Sequence, residues 1–343
     1  MRVHELDSLN MFAAASGLAD QIEVAARTAG DVDLPDARGI NSVVVMGMGG
    51  SGIGGDLTAA IAGPDAAVPV IVPKGYEAPA FIGPETLVFA VSFSGNTEET
   101  IEAATRAHKQ GARLVVLANG GQLASLAGEW GATWVRIADG IPMPRAGIGA
   151  VSVPPLVILG RLGLIHGIDD QITSAVAQLR RRAAQLDVEN SPAAKLARRI
   201  GRTMPITYGG GLLGEVAAAR WKGQFNENCK IPAFENRIPE LTHNEICGWG
   251  QHGDVTRQMF SLVMVRHDYE HAQTRRRFEL VEEICDEVVA DIHTVSAEGD
   301  TRLAQLFDLV LFGDYVTLEL AVQAGVDPGP VPILDEIKAR LRN

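Results

Sequence analysis

The chain has 343 residues, of which 46% are hydrophobic and 21% charged, and its formal net charge is −12. That length allows about two domains with sizeable cores. The negative balance disfavours nucleic acid and anionic membranes as partners, and the short runs Arg180-Arg181-Arg182 and Arg275-Arg276-Arg277 lie in helical context as solvated faces rather than as a basic patch.

Residues 5–30 read as one amphipathic helix, with no signal-peptide pattern before it. Ser42–Met46 (Ser-Val-Val-Val-Met) is a buried strand that runs into Gly-Met-Gly-Gly-Ser-Gly-Ile-Gly-Gly at 47–55, and an Ala/Ile-rich helix is expected from Asp56. Strands follow at 68–72 and 87–91. The second ends in Ser-Phe-Ser-Gly-Asn-Thr at 92–97, where Glu98 and Glu99 open another helix. A strand at 113–118, a small helix at 122–128 and a strand at 133–137 complete the first alternation. Arg145 stands after a Pro-Met-Pro turn and before an apolar helix at 151–164. A helical, Arg-rich connector covers about 170–200.

The pattern then restarts with a strand at 204–208, a glycine turn at 209–211 and a helix at 212–226. Strands at 259–266 and 292–296 alternate with helices at 274–290 and 301–323. A stiff Asp-Pro-Gly-Pro-Val-Pro connector leads to a last helix at 333–342, which carries Lys338. Strand–helix alternation of this kind predicts an α/β fold, with mainly parallel sheets flanked by helices in two tandem domains. The expected division is an N-terminal domain over 1–165, and a connector with a C-terminal domain over 166–343. No apolar run approaches the roughly 18 residues of a membrane span. Cys229, Cys247 and Cys285 show no metal or redox spacing and are odd in number, which predicts a reducing, cytoplasmic setting.

Gly47-x-Gly49-x-x-Gly52 after a strand fits the dinucleotide fingerprint, yet the next strand ends in Pro73-Lys74 instead of a ribose-binding carboxylate, and no Walker lysine occurs. The 92–97 run discriminates better. It too follows a parallel strand, so it opens on the same carboxyl edge of the sheet, where ligands bind. Ser92, Ser94 and Thr97, with Gly50 and Ser51 from the neighbouring loop, offer hydroxyls and backbone amides to a phosphate monoester. Ser94 or Thr97 is also expected to cap the helix that begins there.

The window 226–249 concentrates Glu227, Lys230, Glu235, Arg237, Glu240, His243 and Glu245, and is broken by Pro232 and Pro239. Carboxylates beside a histidine on such a segment suit general acid–base chemistry, and Glu227, Glu235, Glu240 and Glu245 are all candidate bases. Glu240 also reads as an orienting or capping residue, and Glu245 as a group that could orient His243. His267 and His271 have the spacing of metal ligands, but no third ligand is evident nearby; a surface helix start is the expected reading.

The glycine loop at 47–55 with Ser92–Thr97 resembles the sugar-isomerase (SIS) domain. Pro-Glu-Leu-Thr-His-Asn-Glu-Ile at 239–246, Pro-Arg-Ala-Gly-Ile-Gly at 144–149 and the ending from Gly325 to Lys338 resemble the bifunctional phosphoglucose/phosphomannose isomerases, in that family's order. The resemblance implies an aldose–ketose isomerase acting on glucose 6-phosphate or mannose 6-phosphate through an enediolate, with no metal and no redox cofactor. It places phosphate binding on Ser51, Ser92, Ser94 and Thr97, the base on Glu227, ring opening on His243, the active-site arginine on Arg145 and the C-terminal lysine on Lys338. It also implies a homodimer. In relatives the histidine enters from the other subunit, which leaves open whether His243 serves its own site or its partner's. Cys229 stands where the family pattern has a small residue, and the match is loose around 317–320 and 329–331.

Two alternatives remain at this level. One is a non-catalytic sugar-phosphate sensor, although no basic helix-turn-helix segment is present. The other is an amino-sugar isomerase, although the opening Met-Arg-Val-His lacks the cysteine nucleophile of an ammonia-producing domain.

Overall fold

The computed structural model describes residues 5–341. The expected helix at 5–30 is two helices, α1 (Met11–Ser16) and α2 (Leu18–Gly30), separated at Gly17. Asp7 caps the first by accepting the Met11 and Phe12 amides at 2.8 and 2.9 Å.

The chain forms two compact units. One comprises residues 17–180 with 299–307, and the other comprises 5–16, 181–298 and 308–341. The first unit is built on β1 (Ser42–Met46), α3 (Gly49–Ala62), β2 (Val70–Ile71), β3 (Thr86–Val91), α4 (Glu98–Lys109), β4 (Arg113–Ala118), α5 (Gly121–Trp130), β5 (Thr133–Arg136), α6 (Ile148–Arg161) and most of α7 (Ile168–Leu186). Its five strands are parallel in the order β2-β1-β3-β4-β5. Val43, Val44, Val45, Leu87, Val88 and Phe89 are fully buried, and each such side chain stabilises the fold by about 1.5–3 kcal/mol. Burial on both faces is why these strands read as unbroken apolar runs.

In the second unit α8 (Pro192–Ile200) starts at Ser191, whose hydroxyl accepts the Ala194 amide at 3.1 Å. β6 (Met204–Gly210), α9 (Gly211–Gln224), β7 (Phe234–Ile238), α10 (Gly253–Met259), β8 (Phe260–Arg266), α11 (Ala272–Cys285) and β9 (Asp291–Ser296) follow. α12 (Arg302–Gln323) and α13 (Pro332–Leu341) close the described chain. The four strands are again parallel, in the order β7-β6-β8-β9. Both sheets thus have their second strand on one side of the first and their third on the other. That reversal opens a crevice at the carboxyl ends of the first and third strands, where ligands of open α/β sheets bind.

Two local expectations change. The helix expected at Asp56 begins at Gly49, so the glycine run is mostly the first turns of α3. The window 226–249, expected only as a segment broken by prolines, holds a π-helical turn (Phe225–Cys229), β7 and two 3₁₀ turns (Glu240–His243 and Glu245–Gly248). Among the described residues no helix is long and apolar enough to cross a membrane.

Candidate active site

In the first unit, β1 and β3 deliver the predicted phosphate residues to the crevice between them. Gly49 starts α3 at φ +53°, a conformation glycine adopts without strain. Gly50 leaves room for the short 3₁₀ turn Pro144–Gly147: a Cβ there would stand 3.0 Å from the Pro144 carbonyl oxygen and 3.3 Å from the Arg145 Cα. The glycine therefore brings Arg145, which is only 2% exposed, against the first turn of α3. Ser51, also buried, accepts the Phe93 amide on Oγ at 3.2 Å and so ties α3 to the loop after β3.

Within that loop Ser92 Oγ lies 2.8 Å from Thr97 Oγ1 and accepts the Thr97 amide at 3.3 Å. Ser94 is exposed and accepts the Asn96 amide at 3.2 Å. The capping expectation is overturned, because the side chain of Thr97 at the helix start makes no capping bond and Ser94 bonds ahead of the helix. The loop's internal bonds hold the hydroxyls instead. Asn96 has a role the sequence did not show: its side-chain oxygen accepts the Gln122 amide at 3.0 Å and fixes the start of α5. Lys74 is a further cation here, paired with Asp56, with its Cε 3.5 Å from where a Gly52 Cβ would be.

In the second unit Glu227 is half-buried in the π-helical turn that extends α9. Lys230 ends the turn at φ +59° and donates to the carbonyls of Glu227 (2.7 Å), Asp327 (3.1 Å) and Pro328 (3.2 Å). Cys229 fills a buried position and donates to the Thr317 carbonyl at 3.0 Å, so the departure from a small residue is accommodated; burial pushes its thiol up to about 12.

His243 is exposed on the 3₁₀ turn beyond the carboxyl end of β7, whereas Glu227 precedes the amino end of that strand. The strand advances about 3.3 Å per residue, so the two groups stand at opposite edges of the same sheet. Glu240 accepts Asn244 Nδ2 at 3.0 Å, which is an orienting contact. Glu235 lies exposed on β7.

Glu245 is bound to the sheet. Tyr208 donates its phenol to Oε1, Asn236 Nδ2 donates to Oε2 at 2.6 Å, and Trp249 Nε1 donates to the Tyr208 oxygen at 3.2 Å. Tyr208 and Asn236 are register partners on β6 and β7, which lets both reach one carboxylate. Burial, reinforced by Glu245, pushes the Tyr208 phenol far above its usual range. This clamp holds the segment that carries His243. Lys338 sits on α13, all of whose residues are exposed.

His267 is not on a surface helix start. It is buried, its Nε2 donates to the Gly210 carbonyl at 2.8 Å, and its Nδ1 accepts the Tyr269 amide at 3.2 Å. His271 does begin a helix, accepting the Gln273 amide at 3.1 Å.

Fold and sequence together define the class. Residues 38–135 match the SIS domain family model, and residues 189–341 match the bacterial phospho-glucose isomerase C-terminal SIS domain. The C-terminal domain of glucosamine-fructose-6-phosphate aminotransferase from Francisella tularensis superposes with a TM-score of 0.72, over 94% of this chain and 98% of that one, at 14% identity. That likeness shows a shared fold. Closer in sequence is a bifunctional phosphoglucose/phosphomannose isomerase of Caldicellulosiruptor bescii, 36% identical over 96% of this chain and 98% of its own. A namesake from Thermoplasma acidophilum is 33% identical over 88% of this chain and 90% of its own. The chain belongs to the bifunctional phosphoglucose/phosphomannose isomerase family.

Proposed function

We propose that this protein is a sugar-phosphate isomerase that interconverts glucose 6-phosphate and mannose 6-phosphate with fructose 6-phosphate. The observation that carries this reading is the hydroxyl-lined crevice between β1 and β3, in a chain that matches isomerases of that name almost end to end. Ser51, Ser92, Ser94 and Thr97, with the Gly50 backbone, hold the phosphate at the end of the sugar remote from the chemistry.

The reaction moves one proton between C1 and C2. A carboxylate takes it from C2 of the aldose, an enediolate forms, the hydroxyl proton passes from O2 to O1, and the same carboxylate returns the carbon-bound proton to C1. Glu227 has that role, on a turn anchored at both ends. Arg145 and Lys338 are the cations that stabilise the enediolate. His243 opens the ring by moving a proton between the ring oxygen and the anomeric hydroxyl. No step in this scheme calls for a metal or a redox cofactor.

The positions of Glu227 and His243 before and after β7 favour a homodimer in which His243 serves the site of a second copy. Mixing His243→Ala chains with Glu227→Gln chains should restore part of the activity if subunits exchange; exchange without recovery would contradict the dimer. The proposed setting is the cytoplasm, in keeping with the free thiols of Cys229, Cys247 and Cys285.

The test of function is a coupled assay for fructose 6-phosphate formed from each aldose phosphate with a chelator present. Conversion of both is expected. Binding of the sugar phosphates without turnover would identify a sensor and overturn the reading.

A further inference from the structure

The π-helical turn that carries Glu227 is set by a buried polar ladder against α12. Arg220 and Gln224 on α9, and Asn228 on the turn, recur every four residues and are all buried. Arg220 grips both oxygens of Asp314, with Nη2 at 3.0 Å from Oδ1 and 2.9 Å from Oδ2. Gln224 Nε2 donates to Asp314 Oδ1 at 2.9 Å. One turn on, Asn228 Nδ2 donates to Thr317 Oγ1 at 2.9 Å, while that hydroxyl lies 3.0 Å from the Gly313 carbonyl and 2.9 Å from that of Asp314. The Thr317 carbonyl accepts the Cys229 thiol.

Buried polar groups must find partners, so bonds at successive turns fix both the rotation and the sliding of one helix on the other. The ladder ends beside Glu227, where α-helical winding gives way to a π-helical turn, a rare feature frequent at functional sites.

We propose that Asn228 and Thr317 are positioning residues: their hydrogen bond holds the Glu227 turn so that the carboxylate faces the reacting carbons. This rests on Glu227 being the base. A displacement of about 1 Å of a reacting group can cost on the order of a hundredfold in rate, so a loosened turn should lower turnover and spare the phosphate grip.

Thr317→Val keeps the side chain's shape and removes the hydroxyl. It should lower kcat about tenfold or more, leave KM within about twofold, and slow exchange of the substrate's C2 hydrogen with solvent deuterium in step. Thr317→Ser should recover most of the rate, and Asn228→Ala should behave as Thr317→Val does. Glu227→Gln is measured alongside. If it still exchanges the C2 hydrogen at the wild-type rate, the base is misassigned and the proposal falls with it. If Glu227→Gln is inert while folded Thr317→Val keeps wild-type kcat, positioning alone is wrong. Loss of folding in both Thr317→Val and Asn228→Ala would also overturn it, since the bond would then hold the fold and not the carboxylate.

Discussion

Each unit repeats the same opening: a buried first strand, a glycine turn, and a helix started by a glycine at positive φ, Gly49 at +53° and Gly211 at +62°. What lies over the two turns differs. Over the second, His267 donates to the Gly210 carbonyl, Arg266 and Glu270 pair at 2.8 Å, and Thr274 and Phe278 press so closely that a Cβ on Gly210 would meet them at 2.5 and 2.8 Å. The first turn is flanked by hydroxyls on Ser51, Ser92, Ser94 and Thr97, with the Arg145 backbone close against Gly50. One fold thus supplies two strand-end crevices in equivalent places, one lined by hydroxyls and one filled by protein. In the filled unit, the candidate acid–base residues Glu227 and His243 lie instead before and after β7.

The largest effect that separates the two turns is on stability. In Gly209→Ala the new Cβ would stand 1.9 Å from the Gly214 carbonyl oxygen. A backbone collision cannot be relieved by a rotamer change, so the cost should be about 3 kcal/mol or more, seen as a fall in Tm on the order of 5–10 °C. A wild-type Tm would show that the second turn is not packed as described.

In the lined turn, function should suffer before stability does. Ser94→Ala with Thr97→Ala is expected to raise KM about tenfold or more while kcat stays within about threefold, because phosphate holds the end of the sugar away from the reacting carbons. An unchanged KM would remove this crevice as the anion site.

Tyr208→Phe tests the clamp. It leaves Glu245 and Trp249 each short of a partner, which should cost about 1–3 kcal/mol in stability. It should also lower kcat, as the segment bearing His243 loosens. Equal stability and rate would show that Glu245 is held by Asn236 alone.

The smallest expected effect is pH dependence from the filling histidine. Burial lowers the His267 pKa, and its two hydrogen bonds suit a neutral ring with the proton on Nε2. His293 is lowered in the same way by burial. Below about pH 6.5 the unfolded chain takes up protons that the folded chain refuses, until the lowered folded values are reached. Stability should therefore fall as pH drops through that window and level off beneath it. Denaturant titrations of His267→Gln should show a shallower fall than wild type; the same slope would mean that His267 is not held neutral.

Most of the sheet framework was legible because fully buried parallel strands leave long apolar runs bounded by turns, as at 113–118 and 260–266. β7 was not. It is an edge strand of sequence Phe-Glu-Asn-Arg-Ile, mostly exposed and set between Pro232 and Pro239, so it carries no apolar signature. The start of α3 leaves no helical signal in the sequence because glycines are poor helix formers, yet here they permit close packing. The hydroxyls of 92–97 and the charges of 226–249 stand out as local patterns in the sequence. Their supports did not show, since Asn228 meets Thr317, and Tyr208 meets Glu245, across long stretches of chain with no local pattern to mark the pairing.

Glu227 is the group proposed to move the proton between C1 and C2. The direct test is the rate at which the substrate's C2 hydrogen exchanges with solvent deuterium in Glu227→Gln, beside Glu235→Gln and Glu240→Gln. Glu227→Gln should lose on the order of a hundredfold or more in exchange and in kcat with near-normal substrate affinity, while the other two exchange as wild type does. Wild-type exchange in Glu227→Gln with loss in Glu235→Gln or Glu240→Gln would place the base on β7 or beyond and contradict the account.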